Sequence, residues 1–106
     1  MLYGLSLTKD QQEKIRRKVE KTLQVLHDAG FVHGDVRSTN ILIGLESLDS
    51  DDVRIHFVDF DWAGRIGGAK YPNDINGITV KRPEGAEGGK LITVEHDKTM
   101  VSYLFT

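Results

Sequence analysis

Residues 31–43 read "FVHGDVRSTNILI". Phe31-Val32 and Ile41-Leu42-Ile43 are short, apolar and rich in β-branched residues, so they read as buried strands. Between them lie His33, Gly34, Asp35, Arg37, Ser38, Thr39 and Asn40, broken only by Val36. Polar groups carried into an apolar setting cost free energy unless they are hydrogen-bonded. A loop of this composition therefore either satisfies itself or presents its groups to a ligand.

Upstream, residues 8–29 place Ile15, Val19, Leu23 and Leu26 on one face at helical spacing. Thr8 and Gln11 form a capping-box pair, and Gly30 supplies the left-handed stop. The basic residues Lys14, Arg16, Arg17, Lys18 and Lys21 fall mostly off the apolar face. With Glu13 and Glu20 nearby they read as a solvated surface. Downstream, "ESLDSDD" (46–52) is an acidic turn without calcium-loop spacing. "VRIHFV" (53–58) alternates and reads as a strand, pairing with 41–43 across that turn. Residues 59–90 hold most of the glycines and both prolines, and predict a long irregular segment, mobile or held by a partner. A short "KLITV" strand and a terminal helix over "EHDKTMVSYLF" follow, with Met100, Tyr103 and Leu104 inward. The fold class is α+β: a long helix on small antiparallel hairpins, an irregular segment and a C-terminal helix.

The chain has 106 residues, 39% hydrophobic and 28% charged, which is enough for one small domain. A net charge of −2 gives no pull toward nucleic acid or an anionic membrane. There is no cysteine, so disulfides and thiolate metal sites are excluded. "MLYGLSL" lacks the basic start and apolar length of a signal peptide. An intracellular, cytoplasmic location is the expectation that fits.

The order strand, polar loop, strand, turn, strand, "DFD" puts Asp35, Asn40 and Asp59 at the ends of adjacent strands. Two carboxylates and an amide offer the oxygen ligands that a hard divalent cation takes. A carboxylate left free of metal can accept a proton from a hydroxyl. Arg37 can neutralise a phosphate with its planar fork of donors. Base, metal ligands and cation together are what phosphoryl transfer needs, because its catalysis is mostly positioning and charge neutralisation. The bland alternative makes Asp35 and Asn40 turn-capping residues. His27 and His56 read as packing and surface residues, and Trp62 as core.

"LHDAGFVHGDVRSTNILI" resembles the catalytic-loop region of protein kinases, where Asn follows five residues after the Asp of His-Arg-Asp. Asp35 and Asn40 have that spacing. "IHFVDFDWAG" resembles the metal-binding Asp-Phe-Gly segment, with Asp59 in the ligand position. With "YPNDIN" and the late "EHD", residues 20–106 are most similar to a kinase-like group found mainly in fungi. His-Gly-Asp is also the form seen in aminoglycoside-type phosphotransferases. The resemblance implies Asp35 as catalytic base, Arg37 at the transferred phosphate, and Asn40 and Asp59 holding magnesium against ATP; Asp61, which departs from the Gly of the family pattern, adds a second metal-side carboxylate or a salt-bridge partner. It gives His33 the task of bracing the loop. The implied partners are a nucleotide and a protein or small-molecule hydroxyl.

Gly34 stands where regulated kinases carry Arg, which implies no control through activation-loop phosphorylation. No glycine-rich loop and no Val-Ala-Ile-Lys strand precede the helix, and "GRIGG" (64–68) opens no helix and reads as flexible. Residues 1–106 thus resemble a single partial kinase-like domain, a large-lobe fragment without its small lobe. Such a piece is expected to self-associate or to meet the missing lobe on its apolar face. An inactive interaction module is the main rival reading. Asp-x-Asp phosphatases of the haloacid-dehalogenase type and glycosyltransferases leave "HGDVRSTN" unexplained.

Overall fold

The computed structural model describes residues 1–105. Helix α1 (Lys9–Asp28) begins behind Thr8, whose side chain accepts from the Gln11 amide while Gln11 reaches back to the Thr8 amide. Ile15, Val19, Leu23 and His27 form its buried stripe. Gly30 ends it at φ +92°. The basic residues are solvated as expected: Arg16 pairs with Glu13 and Glu20, and Lys18 with Asp52 at 2.8 Å.

Strand β1 (Phe31–Val32) is followed by β2 (Ile41–Ile43) and β3 (Ile55–Phe57). β2 and β3 pair antiparallel with Ile41 opposite Phe57 and Ile43 opposite Ile55. The expected strand from Val53 starts late, because Ser47 Oγ takes the Arg54 amide at 2.8 Å and holds the turn. β4 (Gly64–Arg65) pairs with β1, so the start of "GRIGG" is a strand and its glycines make the turn after it. "KLITV" contributes a single bridge, Lys70 to Leu91, in place of the expected strand. Thr93 caps the next helix by accepting from the His96 amide at 3.0 Å, so the backbone turns helical at Val94. That helix, α2 (Val94–Ser102), is shorter than predicted at its C-terminal end.

Met100 and Val101 of α2 join Ile15, Val19, Leu23, Val36, Ile41 and Ile55 in the larger core. A smaller core gathers Val32, Tyr71, Ala86 and Ile92, with Trp62 packed on it. The segment expected to be mobile or partner-held is tied down by its own domain. Tyr71 exchanges backbone hydrogen bonds with Lys90 and Gly89 at 2.9 and 3.0 Å. The polar loop 33–40 runs between the two cores.

Candidate phosphotransfer site

The loop is organised from beneath by one carboxylate. Asp97 of α2 is 1% exposed. Its Oδ1 accepts from the Gly34 amide at 2.9 Å, and its Oδ2 from the His33 amide at 2.8 Å. His27 Nε2 of α1 donates to the same Oδ2 at 2.9 Å. Helix α1, helix α2 and the loop therefore meet at a single desolvated group. His33, fully buried, accepts from the Asp35 amide at Nδ1 and donates from Nε2 to the Val58 carbonyl, at 3.1 Å each. That pattern assigns the neutral Nε2–H tautomer. His33 thereby braces both the loop and the "DFD" segment, the task expected of it.

Gly34 carries φ +91°, a conformation open to glycine at little cost. A Cβ there would meet Ile92 Cδ1 at 2.8 Å and Trp62 Cβ at 3.2 Å. The residue is glycine because the loop's backbone lies directly on the smaller core. Gly34→Ala is expected to cost about 1–3 kcal/mol from backbone strain alone. Urea denaturation followed through Trp62, the only tryptophan, measures it.

Asp35 is 5% exposed. Its Oδ1 accepts from Arg37 Nε at 3.1 Å and from Arg82 Nη1 at 2.8 Å. Its Oδ2 accepts from Asn40 Nδ2 at 3.0 Å, and the same amide nitrogen donates to the Asp35 carbonyl at 2.9 Å. Asn40 closes the short 3-10 turn Ser38–Asn40. Its carbonyl accepts from the Val58 amide at 2.9 Å, which brings the chain carrying Asp59 alongside the loop. Asp59 is the one non-glycine described residue with positive φ, at 58°. Strained backbone of this kind persists where surroundings over-determine it and clusters at functional sites. Asp59 and Asp61 are exposed, and the Asp61 amide donates to Asp59 Oδ1 at 3.3 Å. Asp61 makes no ion pair among the described residues. Burial, followed by the charge of Asp97, pushes the nearby Tyr71 phenol up to about 12, so it stays protonated at neutral pH.

The expected residues fall into two groups. Asp35, Arg37 and Asn40 are joined directly, and Asp59 and Asp61 stand at the end of the neighbouring strand. No cluster of three or more His, Cys, Asp or Glu that could hold a metal occurs among the described residues. The oxygen donors present still fit magnesium, which takes one or two carboxylates and completes its shell with water and substrate phosphate. The Asn40 amide oxygen and Asp59 Oδ2 have no hydrogen bond among the described residues, so neither is committed to another partner.

Two site residues were not foreseen. Arg82 lies 47 positions from Asp35, in an irregular segment with no local pattern to mark it. Asp97 looks, in sequence, like an ordinary first-turn acidic residue favoured by the helix dipole. Its complete burial is the fact that distinguishes it.

No helix among the described residues is long and apolar enough to cross a membrane. No curated protein and no solved structure matches the chain significantly. The lipopolysaccharide kinase (Kdo/WaaP) family does match, over residues 4–76, a span that holds the catalytic-type loop and the "DFD" segment and stops short of Arg82 and Asp97. By that match over more than half its length, the chain belongs to the lipopolysaccharide kinase (Kdo/WaaP) family, and is at that level a kinase-like phosphotransferase.

Proposed function

We propose that the site transfers the γ-phosphoryl group of ATP, with magnesium, to a hydroxyl of a protein or small molecule. The observation that carries this reading is the double hold of Asn40 on Asp35, which sets a buried carboxylate beside an amide whose oxygen has no hydrogen-bond partner among the described residues. Asp35 is the base: its Oδ2 accepts the acceptor's O–H and takes the proton as the new O–P bond forms and the bond to the leaving diphosphate breaks. Asn40 and Asp59 would hold the metal, with Asp61 as a further carboxylate on that side. Arg37 bonds Asp35 through Nε alone and its side chain is 36% exposed, so its remaining N–H groups are the ones that would meet the phosphate. Magnesium, when bound, supplies charge neutralisation across the phosphate oxygens.

Magnesium with ATP should raise the melting temperature, because a ligand of the native state stabilises by RT ln(1 + [L]/Kd). The shift should need the metal and vanish in Asp59→Asn. A shift that is independent of magnesium, or one that survives Asp59→Asn, contradicts the assignment. Absence of any shift would favour the inactive interaction module.

A further inference from the structure

We propose that Arg82 is a positioning residue of this site, one that decides which oxygen of Asp35 meets the acceptor. The inference rests on the reading of Asp35 as base. A carboxylate offers about four lone-pair sites, two on each oxygen. On Oδ1 both are used, by Arg37 Nε and Arg82 Nη1. On Oδ2 one is used, by Asn40. A single lone pair is left, on Oδ2, and it is the one that can accept a hydroxyl proton.

Arg82 is itself fixed from three directions. Nη1 is on Asp35, Nε donates to the Asn76 carbonyl at 3.1 Å, and the guanidinium lies 5.0 Å from the centre of the Trp62 ring. The Arg82 and Asp35 side chains are each 7% exposed. Arg37, in contrast, is held at one nitrogen and is partly solvated. The fixed cation is thus Arg82, and the outward one is Arg37. A terminal carboxylate torsion is broad and two-fold, so it takes its orientation from its partners. Without Arg82, Oδ1 regains a lone pair and the carboxylate can turn, offering the acceptor either oxygen. Lysine cannot replace the guanidinium, because it cannot hold Asp35 and Asn76 from one plane while lying on Trp62.

The test uses the full chain and two readings: the dissociation constant for magnesium-ATP, and the rate of γ-phosphate release at saturation, with water as acceptor. Arg82→Ala should lower the rate by about 100-fold, the loss that misplacement by an ångström produces. Its dissociation constant should stay within about threefold, since the metal ligands are untouched. Arg82→Lys should recover little of the rate. Arg82→Gln, which keeps a donor without the charge, serves if Arg82→Ala does not fold. A wild-type rate in a folded variant, or a loss of affinity with the rate unchanged, overturns the positioning role and leaves the phosphotransfer reading standing. Binding of magnesium-ATP by the wild-type chain with no release overturns that reading, and this role with it.

Discussion

Asp97→Ala is expected to abolish cooperative folding. The substitution strands three buried donors at once: His27 Nε2 and the amides of His33 and Gly34. Each buried donor left without a partner costs about 1–3 kcal/mol. The sum is comparable to the whole stability of a small domain, about 5–15 kcal/mol. Asp97→Asn should be milder but still damaging, because its amide oxygen can replace one carboxylate oxygen while its NH2 group cannot accept from the donors that met the other. Thermal melts by circular dichroism would measure both. A melting temperature for Asp97→Ala within a few degrees of the wild type would mean that the carboxylate is not the support described.

Asp35→Ala is expected to unfold the site by a different route. It leaves the buried Arg82 guanidinium facing no anion, and breaking a buried pair from one side costs about 3–5 kcal/mol. For a domain of this size that lowers the melting temperature by at least about 12 °C. Asp35→Asn keeps the shape and an accepting oxygen and should lose less. Adding Arg82→Met to Asp35→Ala should restore much of the loss, because removing both charges removes the desolvation penalty with them. If the double variant is no more stable than Asp35→Ala, the two side chains are not coupled as drawn. Loss of activity in Asp35→Ala would accordingly confound folding with chemistry, and Asp35→Asn is the variant to assay.

Helix α1 was legible because its signals are local: an apolar stripe every three or four residues and a cap at Thr8. The β2–β3 pair was legible for the same reason, since alternation and an acidic turn specify a hairpin within a few residues. Asp35 and Asn40 could be picked out because a five-residue spacing is itself a local pattern. The failures share one cause. β4 pairs with a strand more than 30 positions earlier, and its "GR" sequence carries no strand propensity, so only the partner β1 makes it one. Thr93 had two roles open to it, strand residue or helix cap, and the capping bond with His96 decided. Arg82 and Asp97 act across the fold, through burial that no short stretch encodes.

The span of these contacts also sets an order of events. His27 and Asp97 are 70 positions apart, and Asp35 and Arg82 are 47 apart. Closing such loops costs chain entropy that grows with the logarithm of their length. A ribosome makes α1 and the "HGDVRSTN" loop long before it reaches Arg82 and Asp97. Until α2 docks, the amides of His33 and Gly34 have no carboxylate to meet, and until Arg82 is in place Asp35 has only Arg37 and Asn40. A nascent chain therefore carries every residue of the motif while lacking the motif's geometry, which it gains only once Arg82 and Asp97, made much later, reach the loop.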